Sequence, residues 1–376
     1  MGADLRAIGR QFAIGGEYVS GGLYGMGHIN DTFAATFRQA SGPTRFILQR
    51  INHHVFKDIE GLMSNIVAVT GYLSHKIRAT GGDPLRETLT LVPARDGRSF
   101  HRTEGGEFWR AYVFIEGART YESVERMEHV HAAGWAYGAF QNLLRDFPSK
   151  TLIETIPDFH HTGRRFKNFL DAVEADVVNR ASTAIPEIEF VTKRASLATV
   201  LVDLMRVGKL PRRITHNDTK FNNVMIDDHT GEGVCVIDLD TVMPGLSLYD
   251  FGDSIRSMAN TGAEDEPDLS RVNFDLQVYA SYTRGYLEAT GGFLAREELE
   301  RLPLAAILMT IECGMRFLED YLRGDTYFKT NRPDHNLDRC RTQFKLAEGM
   351  EDAQEAMASL VEKSLAEGAD GGSHGA

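Results

Sequence analysis

Along roughly the first hundred residues, hydrophobic and polar positions alternate in short runs separated by Gly-rich breaks. Most later segments repeat their apolar positions every three or four residues. This predicts a small β-rich part followed by a larger helical one. Residues 32–38 (TFAATFR) and 45–51 (RFILQRI) flank QASGPT, whose Ser, Gly and Pro suit a turn, and read as neighbouring antiparallel strands. Residues 53–73 read as a helix with Ile59, Leu62, Met63, Ile66 and Val69 on its buried face. Further strands are expected at 89–92 and 109–117, and after Gly117 the pattern turns helical, over 121–147 and 164–181. A hairpin over 224–226 and 234–237 is the one later strand-like stretch, with Asp and Gly in its turn. The expected architecture is α+β: a small antiparallel β-rich N-lobe over 1–117 and a mainly helical C-lobe over 118–364. A tail over 365–376 has too little apolar surface to offset its ordering entropy and is expected to be disordered.

Composition narrows the function classes. The chain has 376 residues, 42% of them hydrophobic and 25% charged, as in ordinary globular proteins, and its length suggests two domains. A formal charge of -12 disfavours nucleic acid and anionic membranes as partners, so a polyanionic ligand needs a local basic site. Three widely spaced cysteines, with no C-x-x-C pair, fit a reducing compartment, and the charged N-terminus lacks the apolar stretch of an export signal. The longest apolar run, 302–311, is about half the roughly 20 residues that span a bilayer. The expectation is a cytoplasmic protein.

The chemistry concentrates in ITHNDTKFNNVMIDDHTGEGVCVIDLD, residues 214–240, where His216, Asp218 and Asn223 fit an H-x-D-x-x-x-x-N catalytic loop. Phosphoryl transfer needs a carboxylate beside the incoming hydroxyl and oxygen ligands for magnesium, and a loop feeding a hairpin can converge them. Asp218 is then the candidate base, Asn223 and Asp238 the candidate Mg²⁺ ligands, and Lys220 a candidate γ-phosphate contact. Asp240 is a weaker metal candidate. His216 is expected to brace the loop. The string Asp250-Phe251-Gly252 lies too far beyond the hairpin to supply the metal carboxylate, so Asp250 is expected to begin a helix and brace or cap. In YGMGHINDTF, Gly25 and Gly27 permit tight turns near phosphate oxygens, which makes them and Asn30 nucleotide candidates, although two glycines serve a hairpin equally well. Around Glu116 the backbone between the two parts either meets an adenine edge or is a plain linker.

These segments resemble the aminoglycoside phosphotransferase and choline kinase superfamily, which implies a protein-kinase-like two-lobed fold that uses ATP and Mg²⁺. At finer grain YGMGHINDTF, FILQRIN, THNDTKFNN, IDLDTVMPG, YDFGDSIR and ECGMRFLEDYLRGDTYF resemble the branch that phosphorylates N-acetylhexosamines at the anomeric hydroxyl. That resemblance implies a small-molecule sugar partner and places His28, Arg316 and Tyr327, with Asp218, around the acceptor. Read from the residues alone, Arg316 sits in an apolar helix pattern, where it must find sugar oxygens or the carboxylates one turn away, Glu312 and Asp320. Tyr327 is equally compatible with packing. One departure stands out: Gln49 occupies the strand position where a phosphate-contacting Lys or Arg is common, and Arg50 faces the other way. Lys220 is the expected replacement cation. The competing readings are a kinase of another small alcohol (aminoglycoside, choline or homoserine) and a non-catalytic nucleotide-binding module.

Overall fold

Alternation in the opening third builds one six-stranded antiparallel sheet in the computed structural model, which describes residues 3–25 and 29–371. The N-lobe runs α1 (Leu5–Gly9), β1 (Glu17–Leu23), β2 (Asp31–Gln39), β3 (Gly42–Ile51), α2 (Ile59–Ala79), α3 (Pro84–Glu87), β4 (Leu91–Val92), β5 (His101–Arg102) and β6 (Phe108–Val113). The sheet order is β1–β2–β3–β6–β4, with β5 also paired to β6. Period-two alternation gives it two faces. Leu48, Trp109 and Ala111 pack with Phe12 and Phe37 on one side, whereas Ile51 and Tyr112 join α2 and the main core on the other.

The C-lobe comprises β7 (Ala118–Arg119), α4 (Met127–Leu143), α5 (Thr162–Ala175), α6 (Ile185–Lys193), α7 (Val200–Arg206), β8 (Arg213–Thr215), β9 (Val224–Asp227), β10 (Gly233–Val236) and β11 (Met243–Gly245), followed by α8 (Ser247–Met258), α9 (Leu276–Thr290), α10 (Arg296–Leu299), α11 (Leu302–Leu322), α12 (His335–Asp352) and α13 (Gln354–Gly371). β9 pairs with β10 as the expected hairpin and also with β7, while β8 pairs with β11. Helices α4 and α9 approach closely enough that a Cβ on Gly134 would collide with the Tyr282 carbonyl. The fold is the expected α+β one.

Several boundaries differ from the sequence reading, each for a local reason. The helix expected over 53–73 begins only at Ile59, because Asp58 accepts a hydrogen bond from the Gly61 N–H at 2.8 Å and caps it; it then runs on to Ala79, with Leu73 and Ile77 buried. Likewise α4 and α5 cover 127–143 and 162–175 rather than 121–147 and 164–181. β1 escaped notice because it is an edge strand that buries almost nothing: of its residues only Tyr18 is partly covered, so no alternation marks it. Residues 365–371, expected to be disordered, continue α13, whose preceding turns are anchored by buried Met357 and Val361.

Candidate functional site

The loop over 216–223 is held by backbone hydrogen bonds to buried carboxylates on α8. Asp250 accepts from the N–H groups of His216 (2.9 Å) and Asn217 (2.8 Å) and from the Gln141 amide (2.6 Å), while Asp253 accepts from the Thr219 N–H at 2.9 Å. Burial raises the Asp250 carboxyl above its ordinary range, against the opposing pull of His216 and these donors. Asp250 thus braces the loop from α8, as the sequence suggests, and is not directed at a metal. His216 also braces: Nε2 meets the Ile237 carbonyl at 2.8 Å, tying the loop to the segment that carries Asp238. Asn217 adopts φ +65, a left-handed conformation that Asn tolerates better than most residues, and donates to the Thr241 carbonyl at 2.8 Å. Two strand pairings and these cross-links fix the 216–223 and 237–241 segments side by side.

Asp218, Lys220, Asn223 and Asp238 meet there. Asn223 Nδ2 donates to the Asp218 carbonyl at 2.8 Å and to its Oδ2 at 3.3 Å, and the Asn223 carbonyl accepts from the Ile237 N–H at 2.9 Å, one residue before Asp238. Lys220 Nζ lies 2.9 Å from Asp218 Oδ1, an ion pair that raises the lysine above its ordinary value. Burial, reinforced by Asp240 and Asp218, pushes the Asp238 carboxyl up to about 6. A buried carboxyl disfavoured as an anion in this way, in the segment that Ile237 ties to Asn223, and an Asn223 side-chain oxygen that meets no donor among the described residues are hard oxygen ligands of the kind Mg²⁺ takes. The donors present fit the ion that the sequence implies.

Gln49 and Asn30 are both hydrogen-bonded within the protein. Gln49 lies directly opposite Arg110 in the β3–β6 register, and its Oε1 accepts from Arg110 Nε (2.8 Å) and Nη2 (2.6 Å). Arg110 Nη1 in turn pairs with Asp240, and this ion pair is buried at 1% and 3% side-chain exposure. Asn30 holds the other Asp240 oxygen at 2.6 Å and accepts from the Asn52 N–H at 2.9 Å. Both Asp240 oxygens are therefore engaged, one by Arg110 and one by Asn30. The cation expected on β3 sits instead on the neighbouring strand β6. Its sequence signal was an Arg at an inward position of WRAYV, between Trp109 and Ala111, which face the other core.

At the lobe connection, Glu116 pairs through its side chain with Arg45 and gives its carbonyl to Arg86, while the Gly117 carbonyl accepts from the Asp228 N–H at 3.0 Å. Both carbonyls thus accept hydrogen bonds from within the protein. Gly25 adopts φ +77, a left-handed conformation that glycine takes without strain, just beyond β1. Gly27 and His28 lie outside the described residues.

Helix α11 carries Arg316 and its two flanking carboxylates, and both are used elsewhere. Glu312 accepts from His160 Nδ1 at 2.8 Å and from Thr162; Asp320 accepts from the N–H groups of Thr326, Tyr327 and Phe328 and from Asn336. Although burial works against it, these partners, His160 first, keep Glu312 below its ordinary range. Arg316 is left between two rings, its guanidinium carbon 5.4 Å from the centroid of Phe159 and 5.6 Å from that of Phe328. His160, unnoticed in the sequence, links this region to the catalytic loop through the Asn217 carbonyl at 3.0 Å. Tyr327 is 64% exposed at the rim, its ring packed edge-on against Phe328.

Fold and loop together define a two-lobed phosphotransferase. The chain belongs to the phosphotransferase enzyme family, whose model matches residues 25–299 and so takes in the sheet from β2 onward, the loop over 216–223 and α8. It is similar to a microcompartment-associated aminopropanol kinase at 17% identity, covering 94% of this chain and 98% of that one, with a TM-score of 0.60. An aminoglycoside phosphotransferase from Alicyclobacillus acidocaldarius matches at 11% identity over 95% and 96% of the two chains, with a TM-score of 0.59. A spectinomycin phosphotransferase, solved with ADP and spectinomycin, matches at 11% identity over 90% and 94%, with a TM-score of 0.55. At these identities the likeness is one of fold, the aminoglycoside phosphotransferase and choline kinase type. Among the described residues, no helix is long and apolar enough to cross a membrane.

Proposed function

We propose that the protein is an N-acetylhexosamine 1-kinase, which transfers the γ-phosphoryl group of ATP to the anomeric hydroxyl of N-acetylglucosamine or N-acetylgalactosamine. The observation that carries the phosphotransferase reading is the contact of Asn223 with Asp218, with Asp238 close enough for the Asp218 charge to raise its carboxyl. In this reading Asp218 orients the acceptor hydroxyl and takes its proton as the new O–P bond forms and ADP leaves with the bridging electrons. Asn223 and Asp238 hold Mg²⁺, which neutralises phosphate charge when bound. Lys220, already paired with Asp218, keeps that carboxylate oriented and adds a cation at the phosphate side. The spectinomycin enzyme's ADP complex supports a nucleotide in the cleft.

The sugar reading rests on the resemblance of the segments around Tyr24, Thr215 and Glu312 and on the character of the acceptor side. A choline-like or aminoglycoside acceptor carries positive charge and needs free carboxylates. Here Glu312 and Asp253 are already bound to His160, Thr162 and Arg256, and Arg316 faces the space between two rings. The non-catalytic reading is disfavoured by the family to which the chain belongs, and Arg110, paired with Asp240, places a cation on the sheet beside the loop. Purified protein with Mg-ATP and a panel of N-acetylglucosamine, N-acetylgalactosamine, galactose and choline, followed by NMR of the product, tests the assignment. Phosphate on C1 of the N-acetyl sugars is expected; phosphate on C6, or preferential phosphorylation of choline, overturns it.

A further inference from the structure

Two histidines grip the peptide bond that leads into Asp218. That bond is planar, so its carbonyl, on Asn217, and its N–H, on Asp218, turn together. His160 Nε2 meets the Asn217 carbonyl at 3.0 Å, and His216 Nδ1 accepts from the Asp218 N–H at 3.3 Å. Asn217 stands at φ +65, a left-handed conformation that local preference alone does not enforce. A swing of this one plane would turn the Asp218 carboxylate away from Asn223 and Lys220, which it now meets.

The two rings differ in what they must donate. His216 faces one donor, the Asp218 N–H, and one acceptor, the Ile237 carbonyl, which suits a neutral ring with its proton on Nε2. His160 faces two acceptors. The Asn217 carbonyl offers only lone pairs, and Nδ1 lies 2.8 Å from Oε1 of Glu312, whose second oxygen accepts from Thr162. Glu312 is held below its ordinary range, so at neutral pH it is a carboxylate with no proton to offer. Both His160 nitrogens therefore donate, as only the imidazolium can. The ring and Glu312 are 7% and 1% exposed, and a charge so buried persists only against a counter-charge. Glu312 supplies it in contact, and Asp253 lies near enough for the ring to lower its carboxyl. Arg316 and Arg165 act on Glu312 as well, but neither hydrogen-bonds it among the described residues. Arg165, in the first turn of α5, instead donates to the Phe159 carbonyl at 3.1 and 2.9 Å, which fixes the residue next to His160.

We propose that His160 is a positioning residue of phosphoryl transfer: a buried imidazolium, neutralised by Glu312 on α11, that holds the Asn217 carbonyl and through it the direction of Asp218. This rests on Asp218 as the proton acceptor, the reading given above, and names what aims it. The hydrogen bond to the carbonyl is charge-assisted, the stronger kind, and it ties the helix of Arg316 to the base.

Kinetics and NMR on the full-length protein test this. The acceptor is whichever member of the sugar and choline panel the wild type phosphorylates with Mg-ATP. His160→Phe removes both donors, and kcat is expected to fall roughly 10- to 100-fold with KM for ATP within about twofold, since a misaimed base costs turnover and not nucleotide binding. His160→Gln keeps one N–H for the Asn217 carbonyl and is expected to recover most of that loss. A His160→Phe enzyme with wild-type kcat overturns the inference, as does a His160→Gln enzyme just as slow, the pattern of a histidine that only fills space. The second measurement needs no variant to fold and no substrate. With ¹⁵N-labelled histidine at neutral pH, the wild-type His160 ring is expected to show two protonated nitrogens of similar shift; one bare nitrogen, shifted far from the other, overturns the inference. In Glu312→Gln, which withdraws the counter-charge, one nitrogen is expected to be bare, and an imidazolium that survives there removes the part given to Glu312. Phosphoryl transfer by a protein whose His160 is neutral sinks this inference and spares the kinase assignment. Two protonated nitrogens, with no phosphate transferred to any acceptor, sink the assignment and leave the clamp on the loop.

Discussion

Gln49 aims Arg110 at Asp240: one side-chain oxygen on β3 accepts two hydrogen bonds from the guanidinium directly across the sheet, whose remaining arm reaches the segment just after Asp238. An uncharged residue at the strand position does not remove the cation from this cleft. It moves the cation to the next strand and buries it. The arrangement also links the N-lobe sheet to the catalytic segment of the C-lobe.

Removing the cation should therefore cost more than an ordinary substitution. Arg110→Met leaves Asp240 buried without its ion-pair partner, and a loss of about 3–5 kcal/mol is expected. Urea unfolding measures it. In the Arg110→Met, Asp240→Leu double variant much of that loss should return, because no orphaned charge remains; additive losses would mean that the two side chains do not act as a pair.

Asp218→Asn keeps the shape of the loop and removes the proton acceptor. A drop in kcat of roughly 10²–10⁴ is expected, with nucleotide binding retained by titration. A variant with near-normal sugar phosphorylation would refute the base assignment.

Lys220→Ala is expected to lower kcat/KM by at least about tenfold, since its ammonium orients Asp218 at 2.9 Å. Arg50→Ala should stay within about twofold. Arg50 bonds only to the partly exposed carboxylates of Asp31 and Glu107 on the opposite sheet face, a setting where ion pairs contribute little. Equal effects of the two substitutions would remove the role given to Lys220.

Glu312 makes a pH prediction. Its carboxyl is held below the ordinary value near 4.3 by His160 and Thr162, so on acidification the unfolded chain takes up this proton before the folded one. Its stabilising contribution is complete above the unfolded pKa and is lost as pH falls through the folded one. Glu312→Gln should therefore be less stable at neutral pH and flatten the acid limb of stability against pH, measured by thermal unfolding between about pH 3 and 7. An unchanged acid limb would contradict the shift.

What the chain announces and what it hides follow from the range of the interactions. The catalytic loop was legible because Asp218 and Asn223 are close in sequence and their spacing reflects a local turn. Asp238 was legible because it ends an apolar strand. Asp250 could be separated from a metal role by position alone. By contrast, the partnership of Gln49, Arg110, Asp240 and Asn30 draws on four distant segments, and nothing local to Gln49 tells that its neighbour in the sheet is an arginine. His160 and Arg165 belong to a loop and a helix start whose sequence, FHHTGRRF, has no periodic signal to attach to the catalytic loop. The salt bridge allowed for Arg316 by helical spacing failed for a tertiary reason: His160 and the turn after α11 had claimed both carboxylates.

The ion pair between Arg110 and Asp240 also bears on how the cleft admits its guests. Prising the sheet away from the loop after Asp238 would drag a charged pair out of the interior, so wide jaw-like opening at that level is disfavoured. Away from that level, Tyr327 stands exposed on the short turn that Asp320 ties to the end of α11 and is free of this constraint.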